Sequence, residues 1–225
     1  MSSIPPQAAT PPVRIQQNIL ARGERRLLNW ICPRLPGWVT PDQLTTLGFL
    51  GAVMVAMGYM LSWLGPAWLS LSVAGYVVHW FGDSLDGSLA RWRRIERPSY
   101  GYFVDHSVDG LAIFLMVGSI GLSPYMRFDV ALIAVIGYLL LAIHSFLAAK
   151  VVGEFRLSYM AGGPTELRLM LIAMTGLMPI VGGADVWHTN FSPFDLFGLT
   201  ISSILVTLFV TQSFATARQL AHRRD

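Results

Sequence analysis

Six apolar stretches, each long enough to cross a lipid bilayer, constrain the fold of this chain more than any other feature of its sequence. A membrane-spanning helix needs about 20 mostly apolar residues. Of the 225 residues, 53% are hydrophobic and only 13% are charged, whereas soluble domains are about 25% charged. We therefore predict an all-α membrane protein, a bundle of six transmembrane helices. The predicted spans are residues 43–64, 67–91, 101–122, 128–150, 165–181 and 193–215.

The basic residues fall on one side of this predicted bundle. All 16 Lys and Arg residues except Arg127 precede the first span, follow the last span, or lie in or beside the loops after the second and fourth spans. The positive-inside rule places such segments in the cytoplasm. We therefore predict that both termini are cytoplasmic. Six spans also return the chain to its starting side, so the span count agrees with the charge distribution.

The N-terminal region differs from the rest of the chain. Residues 1–12 are rich in Ser, Pro, Ala and Thr and lack the features of a signal peptide, which predicts a disordered tail. Residues 13–36 space apolar side chains among Arg, Gln and Glu and are too polar to span. They predict an amphipathic helix on the cytoplasmic membrane surface, with a soluble helix packed on the loops as the alternative. Residues 37–225 form the predicted membrane domain.

Four aspartates form the most informative pattern in the sequence. Asp83 and Asp86 are three residues apart near the end of the second span, and Asp105 and Asp109 are four apart near the start of the third. These spacings place each pair on one face of its helix. Consecutive spans joined by a short loop are expected to be antiparallel neighbours. The four carboxylates should therefore face each other at the cytoplasmic edge of the membrane.

Such a group of carboxylates is unstable without counter-charges. A charged side chain at the centre of a membrane helix costs roughly 2.5–3.5 kcal/mol. Two divalent cations would cancel the four charges, and ligation by oxygen alone suits Mg²⁺ or Mn²⁺. A two-metal site can hold a phosphate and stabilise both the attacking and the leaving oxygen. In the alternative interpretation, the aspartates cap helices or pair with nearby arginines.

Neighbouring residues favour a phosphate-containing ligand. Gly87 and Gly101 leave room for a bulky ligand to approach the backbone. Arg91 lies eight residues, about two helical turns, beyond Asp83. Its guanidinium group can therefore reach a phosphate at the same site.

The combined pattern resembles the signature of the CDP-alcohol phosphatidyltransferases at every fixed position. The resemblance extends over the six spans and the N-terminal amphipathic helix. It implies an integral membrane enzyme of phospholipid synthesis that uses two metal ions. Such an enzyme displaces CMP from a CDP-linked donor with the hydroxyl of an acceptor alcohol. The motif, with nine residues between its two halves, is Asp83-x2-Asp86-Gly87-x2-Ala90-Arg91 and then Gly101-x3-Asp105-x3-Asp109.

The resemblance also implies roles for individual residues. Asp83, Asp86 and Asp105 would be metal ligands, and Asp109 would be the base that takes the hydroxyl proton while also contacting a metal. The donor nucleotide would be bordered by Gly87, Arg91 and Gly101. Many family members have Asn where this chain has Asp42, so no contact is assigned to that residue.

The start of the fifth span allows two interpretations. Glu166 can be an early-turn glutamate that the helix dipole favours. It can also line an acceptor pocket together with Arg168 and, across the preceding loop, Glu154 and Arg156, because this part of the chain tends to face the acceptor in family members.

Three histidines are weaker candidates. His79, one turn before Asp83, can support a metal ligand or bond to a neighbouring helix. His144 has apolar neighbours, and His106 lies about 100° around the helix from Asp105. A structural role is the main expectation for all three.

The favoured function is attack by a small polar alcohol on CDP-diacylglycerol, which yields a phospholipid and CMP. The alternative within the family transfers phosphocholine or phosphoethanolamine from a CDP-amino alcohol to diacylglycerol. A remote alternative is an ion-coupled transporter, but its charges would lie near the bilayer midplane in two related halves. The expected partners are the CDP-linked donor, the alcohol, membrane lipids and a second copy of the chain, but no nucleic acid. The expected location is the bacterial inner membrane.

Overall fold

The computed structural model describes residues 13–15, 20–152, 154–156, 163–183 and 190–222, with backbone alone for 13–15 and 154–156. This part of the chain is helical except for short turns and two three-residue strands. The predicted tail, residues 1–12, lies outside the described residues. The helices are α1 (Ala21–Ile31), α2 (Pro41–Leu61), α3 (Leu69–Arg93), α4 (Pro98–Gly118), α5 (Phe128–Val151), α6 (Pro164–Val181) and α7 (Pro193–Ala221). The strands are β1 (Val13–Ile15) and β2 (Glu154–Arg156).

Within the described residues, five helices are long and apolar enough to cross a membrane, namely α2, α4, α5, α6 and α7. The sequence predicts six spans, and α3 is the remaining one. It has 25 residues, but its serines, His79, Asp83 and Asp86 lower its hydropathy below that of the other five.

The beginnings of the long helices follow from local sequence. Thr40 accepts a hydrogen bond through Oγ1 from the Gln43 backbone N–H (3.2 Å), and Gln43 Oε1 accepts one from the Thr40 N–H (2.9 Å). This reciprocal pair is the capping box that the sequence indicates at the start of α2. Ser192 and Asp195 form a second one at the start of α7. Each box satisfies amide groups that have no partner inside the helix.

The N-terminal segment is only partly helical. Of the predicted amphipathic region, α1 occupies Ala21–Ile31, and β1 pairs in parallel with β2, with Val13 opposite Glu154. The β-branched Val13 and Ile15 suit a strand. Leu28 of α1 is buried in a small apolar cluster with residues of the following turn and of α2 and α3. That cluster contains Leu28, Cys32, Leu44, Leu85 and Leu89.

Helices α2 and α3 approach each other more closely than ordinary side chains would allow. A Cβ atom at Gly75 would lie 2.6 Å from the Val55 backbone N, and one at Gly82 would overlap the backbone of Gly48 and Leu44. Small residues permit such contact between membrane helices. The main core, which includes Tyr59, Tyr76, Met116 and Met178, is continuous with this contact. Close packing therefore fixes the C-terminal half of α3, which carries Asp83 and Asp86.

Candidate active site

The two aspartates of α3 contact different neighbouring helices. Asp86 accepts a hydrogen bond through Oδ2 from Thr45 Oγ1 on α2 (2.6 Å) and through Oδ1 from the Gly87 backbone N–H (2.5 Å). Asp83 forms an ion pair with Arg168 on α6, and only 20% and 10% of the two side chains are exposed. The two carboxylates are thus held by different means, one by neutral donors and the other by a mostly buried cation.

The aspartates of α4 face this pair. Asp105 and Asp109 line the same cavity as Asp83, Asp86 and Arg168. Ligand atoms of Asp105, His106 and Asp109 lie within 4.8 Å of one another. The structure therefore places all four aspartates in one cavity, with Asp86 on the α2 side.

His106 lies closer to the carboxylates than its position in the sequence indicates. Its Nδ1 is 3.4 Å from Asp105 Oδ2, and its ring stacks on Phe146 of α5 with 4.9 Å between centroids. Tyr102 meets the same ring edge-on at 4.3 Å. Helical spacing alone separates His106 from the Asp105 face, and only the side-chain conformations bring the two groups together.

The residues predicted to border the nucleotide lie beside the carboxylates. Arg91 donates through Nη2 to Ser88 Oγ (3.2 Å), and a Cβ atom at Gly87 would lie 3.2 Å from Arg91 Nη1. The guanidinium group thus lies over Gly87. A Cβ atom at Gly101 would meet no heavy atom of the structure within 4 Å. Space is therefore present where the sequence predicts a ligand.

All these groups open into one large cavity of about 2740 Å³, to which all seven helices contribute. Typical small-molecule pockets measure about 300–1,000 Å³, so this cavity has room for a lipid-sized ligand. Its polar part contains the four aspartates and Arg91. Its apolar part is lined by residues of α5 and α7, including Leu139, Ile143, Ile201, Ile204, Leu205 and Leu208.

The predicted acceptor residues are only partly described. Glu166 and Arg168 line the cavity, whereas the side chains of Glu154 and Arg156 lie outside the described part of the structure. Glu166 accepts hydrogen bonds from the backbone N–H groups of Leu20 (3.0 Å) and Gly163 (3.1 Å). Glu166 therefore caps α6 and also connects it to the N-terminal segment.

Two polar residues at this site are not among the candidates from the sequence. Glu24 of α1 accepts hydrogen bonds through Oε1 from Thr165 (2.8 Å), Trp80 (2.9 Å) and Ser84 (3.1 Å). Thr45 bonds to Asp86, as described above. Neither residue belongs to a motif, so no sequence signal marks them.

The remaining candidates from the sequence, two histidines and Asp42, have surroundings typical of residues with a structural role. His144 Nδ1 lies 3.3 Å from Ser213 Oγ on α7. His79 is buried, and its Nδ1 bonds to no described residue. Asp42 forms an ion pair with Arg97 at the rim of the cavity, at 2.5 Å and 2.7 Å. The Asp42 carboxylate raises the pKa of the Arg97 guanidinium group, chiefly through this hydrogen bond.

The donor set fits a divalent cation. Hard cations such as Mg²⁺ and Ca²⁺ bind oxygen ligands at about 2.0–2.6 Å, so two ligand atoms of one ion lie no more than about 5 Å apart. The Asp105, His106 and Asp109 ligand atoms lie within 4.8 Å of one another, which is inside this limit for Ca²⁺ and close to the limit of about 4.2 Å for Mg²⁺. Asp83 and Asp86 line the same cavity as this group.

Several known proteins are similar to part of this chain. An archaetidylinositol phosphate synthase of Pyrococcus horikoshii is 28% identical over 137 residues, 61% of this chain and 62% of that protein. Cholinephosphotransferase 1 of Danio rerio is 30% identical over 98 residues, 40% of this chain and 25% of the relative. A phosphatidylinositol phosphate synthase of Cutibacterium acnes is 38% identical over 77 residues, 32% of each chain. The chain thus spans less than two thirds of each of these relatives.

A family-wide comparison covers more of the chain. The family model for CDP-alcohol phosphatidyltransferases matches residues 38–216. The matched region includes α2 to α6 and most of α7, with all four aspartates and the apolar wall of the cavity. Together with five helices able to cross a membrane, this match identifies the chain as an integral membrane protein of the CDP-alcohol phosphatidyltransferase family.

Proposed function

We propose that the protein transfers a phosphatidyl group from CDP-diacylglycerol to a small polar alcohol and releases CMP, a metal-dependent step of phospholipid biosynthesis. One observation carries this proposal. The carboxylate motif of the family lies in a cavity that combines a charged end with an apolar wall. A donor with a diphosphate and two acyl chains matches both parts of such a cavity.

Asp83, Asp86, Asp105 and Asp109 would hold two divalent cations, Mg²⁺ or Mn²⁺. When bound, these ions supply positive charge that orients the diphosphate and stabilises its leaving oxygen. Oxygen donors dominate this set of residues, which favours hard cations.

The chain's own residues then supply binding and proton transfer. Arg91 would donate to the donor phosphates, with Gly87 and Gly101 bordering the nucleotide. Asp109 would accept the hydroxyl proton of the alcohol as the alcohol oxygen attacks the lipid-attached phosphorus. The bond from that phosphorus to the oxygen of CMP breaks, and CMP leaves with the electron pair. The proton remains on Asp109 until it passes to solvent.

The acceptor would bind on the α6 side of the cavity, near Glu166 and Arg168, with Glu154 and Arg156 from the preceding loop. Arg168 would contribute its guanidinium group next to the carboxylates. Two relatives are named as synthases of inositol phosphate lipids. This supports a polar alcohol as the acceptor and a CDP-linked lipid as the donor.

A second candidate is the transfer of phosphocholine or phosphoethanolamine from a CDP-amino alcohol to diacylglycerol. The relative named cholinephosphotransferase 1 favours this alternative. The two reactions use the same carboxylates and differ in which substrate carries the acyl chains.

The proposed arrangement has six spans, with α3 as the sixth and α1 at the membrane surface. With 25 residues, α3 is about 37 Å long, more than the hydrocarbon core of about 30 Å. On α1, Leu27 and Trp30 are exposed, which suits an interfacial helix. Both termini and the site would face the cytoplasm of a bacterial inner membrane, and the protein would form a homodimer.

The sidedness can be tested in the loop between α3 and α4. Glu96 is exposed there, and a Glu96→Cys variant should resist membrane-impermeant thiol reagents in intact cells and react after lysis. Labelling of this cysteine from outside intact cells would contradict the cytoplasmic assignment.

The function can be tested with purified protein. CDP-diacylglycerol and a panel of small polar alcohols, with and without phosphate groups, should give CMP and a new lipid by mass spectrometry, only with Mg²⁺ or Mn²⁺ present. A parallel assay uses CDP-choline or CDP-ethanolamine with diacylglycerol. Product in the parallel assay alone would establish the second candidate, and folded protein that releases CMP in neither assay would contradict both.

A further inference from the structure

One carboxylate outside the aspartate motif joins three helices beside the site. Glu24 Oε1 accepts hydrogen bonds from Trp80 and Ser84 on α3 and from Thr165 on α6. The three donors are neutral, and no described cationic side chain forms a salt bridge with Glu24. A carboxylate that accepts several hydrogen bonds forms stronger bonds than a neutral oxygen would. Glu24 therefore holds α1, α3 and α6 at one point.

The bonded residues are next to proposed active-site residues. Ser84 follows Asp83 directly in the chain, and Thr165 lies three residues, about one helical turn, before Arg168. The ion pair between Asp83 and Arg168 connects the same two helices. The junction at Glu24 and this ion pair thus connect α3 and α6 at two neighbouring positions.

A second hydrogen bond connects the N-terminal segment to α6, and in this one the accepting carboxylate is on α6. Glu166 on α6 accepts a hydrogen bond from the Leu20 backbone N–H, just before α1 begins. Glu24 on α1 in turn accepts one from Thr165. The start of α6 is therefore held by the N-terminal segment through two carboxylates, one contributed by each side.

We propose that Glu24 is a positioning residue that fixes the start of α6 against α1 and α3, and so places Arg168 and Glu166 for the acceptor alcohol. Glu24 contacts two helices that carry the site, whereas the surface helix α1 carries none of the motif residues. The membrane-surface segment would then set the geometry of the acceptor side, whereas the close packing of α3 against α2 would hold the nucleotide side in place without Glu24. The effect on kinetics that this proposal predicts rests on the proposed function.

The kinetic test compares Glu24→Ala, Glu24→Gln and Arg22→Ala. Arg22 is also on α1, but it does not line the cavity, and its exposed side chain forms no hydrogen bond or salt bridge with a described residue, which makes it the matched control. A misplacement of about 1 Å can cost about 10²-fold in rate. Glu24→Ala should therefore lower kcat/KM for the product-forming alcohol by roughly 10- to 100-fold, with the KM for CDP-diacylglycerol unchanged. Glu24→Gln keeps a carbonyl oxygen that can accept from the same donors, so it should restore most of the activity.

A distance measurement tests the junction without catalysis. Spin labels on cysteines introduced at Arg26 of α1 and Leu169 of α6, both exposed, report the separation of these helices, while native Cys32 is buried. Unsubstituted Glu24 and Glu24→Gln should give one narrow distance distribution, and Glu24→Ala a broader or longer one. Thr165→Val, which removes only the bond to α6, should shift the distribution in the same direction.

The outcomes separate the two proposals. Absence of CMP release from the unsubstituted protein would contradict the proposed function, and the spin-label distances would still test Glu24. Distance distributions that are identical for unsubstituted protein, Glu24→Ala and Thr165→Val would overturn the positioning role. Equal rises in the KM for the donor and for the acceptor in Glu24→Ala would also overturn it, because a general loss of structure would explain them.

Discussion

The two flanks of α3 are built differently. Toward α2, glycines let the backbones touch, and a Cβ atom at Gly75 would lie only 2.6 Å from the Val55 N. Toward α6, polar side chains make the defining contacts, above all the ion pair between Asp83 and Arg168. The contact of α3 with α2 therefore depends on close packing of the backbones, and its contact with α6 depends on charge and hydrogen bonding.

This difference separates the two aspartates of α3, although they are only three residues apart. Asp86 is oriented by Thr45 on the closely packed flank. Asp83 is oriented by Arg168 on the polar flank. Close packing resists displacement, whereas an ion pair can exchange partners when a competing charge arrives. One helix thus combines a fixed carboxylate with a carboxylate whose partner can change.

The largest expected effect is on turnover when the proposed metal ligands are changed. Asp83→Asn, Asp86→Asn and Asp105→Asn should each nearly abolish CMP release, because an amide is a poor ligand for a hard cation. Size-exclusion chromatography and thermal unfolding should show folded protein in each case. A near-normal rate at low metal concentration for any one variant would remove that residue from the proposed ligands, whichever flank holds it.

A smaller loss is expected for the proposed base. Asp109→Asn should lower the rate by roughly 10²–10⁴-fold, the usual contribution of general base catalysis. Donor binding should persist, because three carboxylates remain. Titration of the variant with CDP-diacylglycerol provides the check. An affinity that falls as far as the rate would mean that Asp109 mainly holds metal.

The packed flank can be tested by adding one methyl group. Gly82→Ala would force a Cβ atom into the α2 backbone, and overpacking of this kind costs roughly 1–3 kcal/mol. Gly176→Ala on α6 is the matched control, since nothing lies within 4 Å of its Cβ position. The Tm should fall for Gly82→Ala and stay equal or rise slightly for Gly176→Ala. Equal Tm values would show that the close contact contributes little to stability.

The smallest expected effect concerns a polar contact of α6 with α2. Thr175 Oγ1 lies 2.5 Å from the Tyr59 hydroxyl, and both side chains are buried. Hydrogen bonds between membrane helices contribute about 0.6 kcal/mol on average. Thr175→Val should therefore lower the Tm less than Gly82→Ala does. A larger loss would mean that polar bonding, and not glycine packing, dominates the stability of the bundle.

Much of the fold follows from local rules that the sequence contains. The apolar stretches predict long helices, and the Thr40-Pro41-Asp42-Gln43 segment predicts the capping box that begins α2. The aspartate spacing predicts two carboxylate pairs, and the structure places them in one cavity. These features depend on residues within a few positions of one another, so a single sequence is sufficient to indicate them.

Other features depend on how the helices meet, which local spacing does not encode. The bond between Thr165 and Glu24 joins residues 141 positions apart, and the ion pair between Arg168 and Asp83 joins residues 85 positions apart. From the sequence, Arg168 is a candidate for an acceptor pocket, and Glu24 has no predicted role. The sequence by itself determined the long apolar helices and which carboxylates share a face, because helical periodicity is local, but it did not indicate the strand at Val13–Ile15. Only the tertiary structure decided which of them has a cation, a hydroxyl or another helix as its partner, because those contacts are created by packing between distant segments.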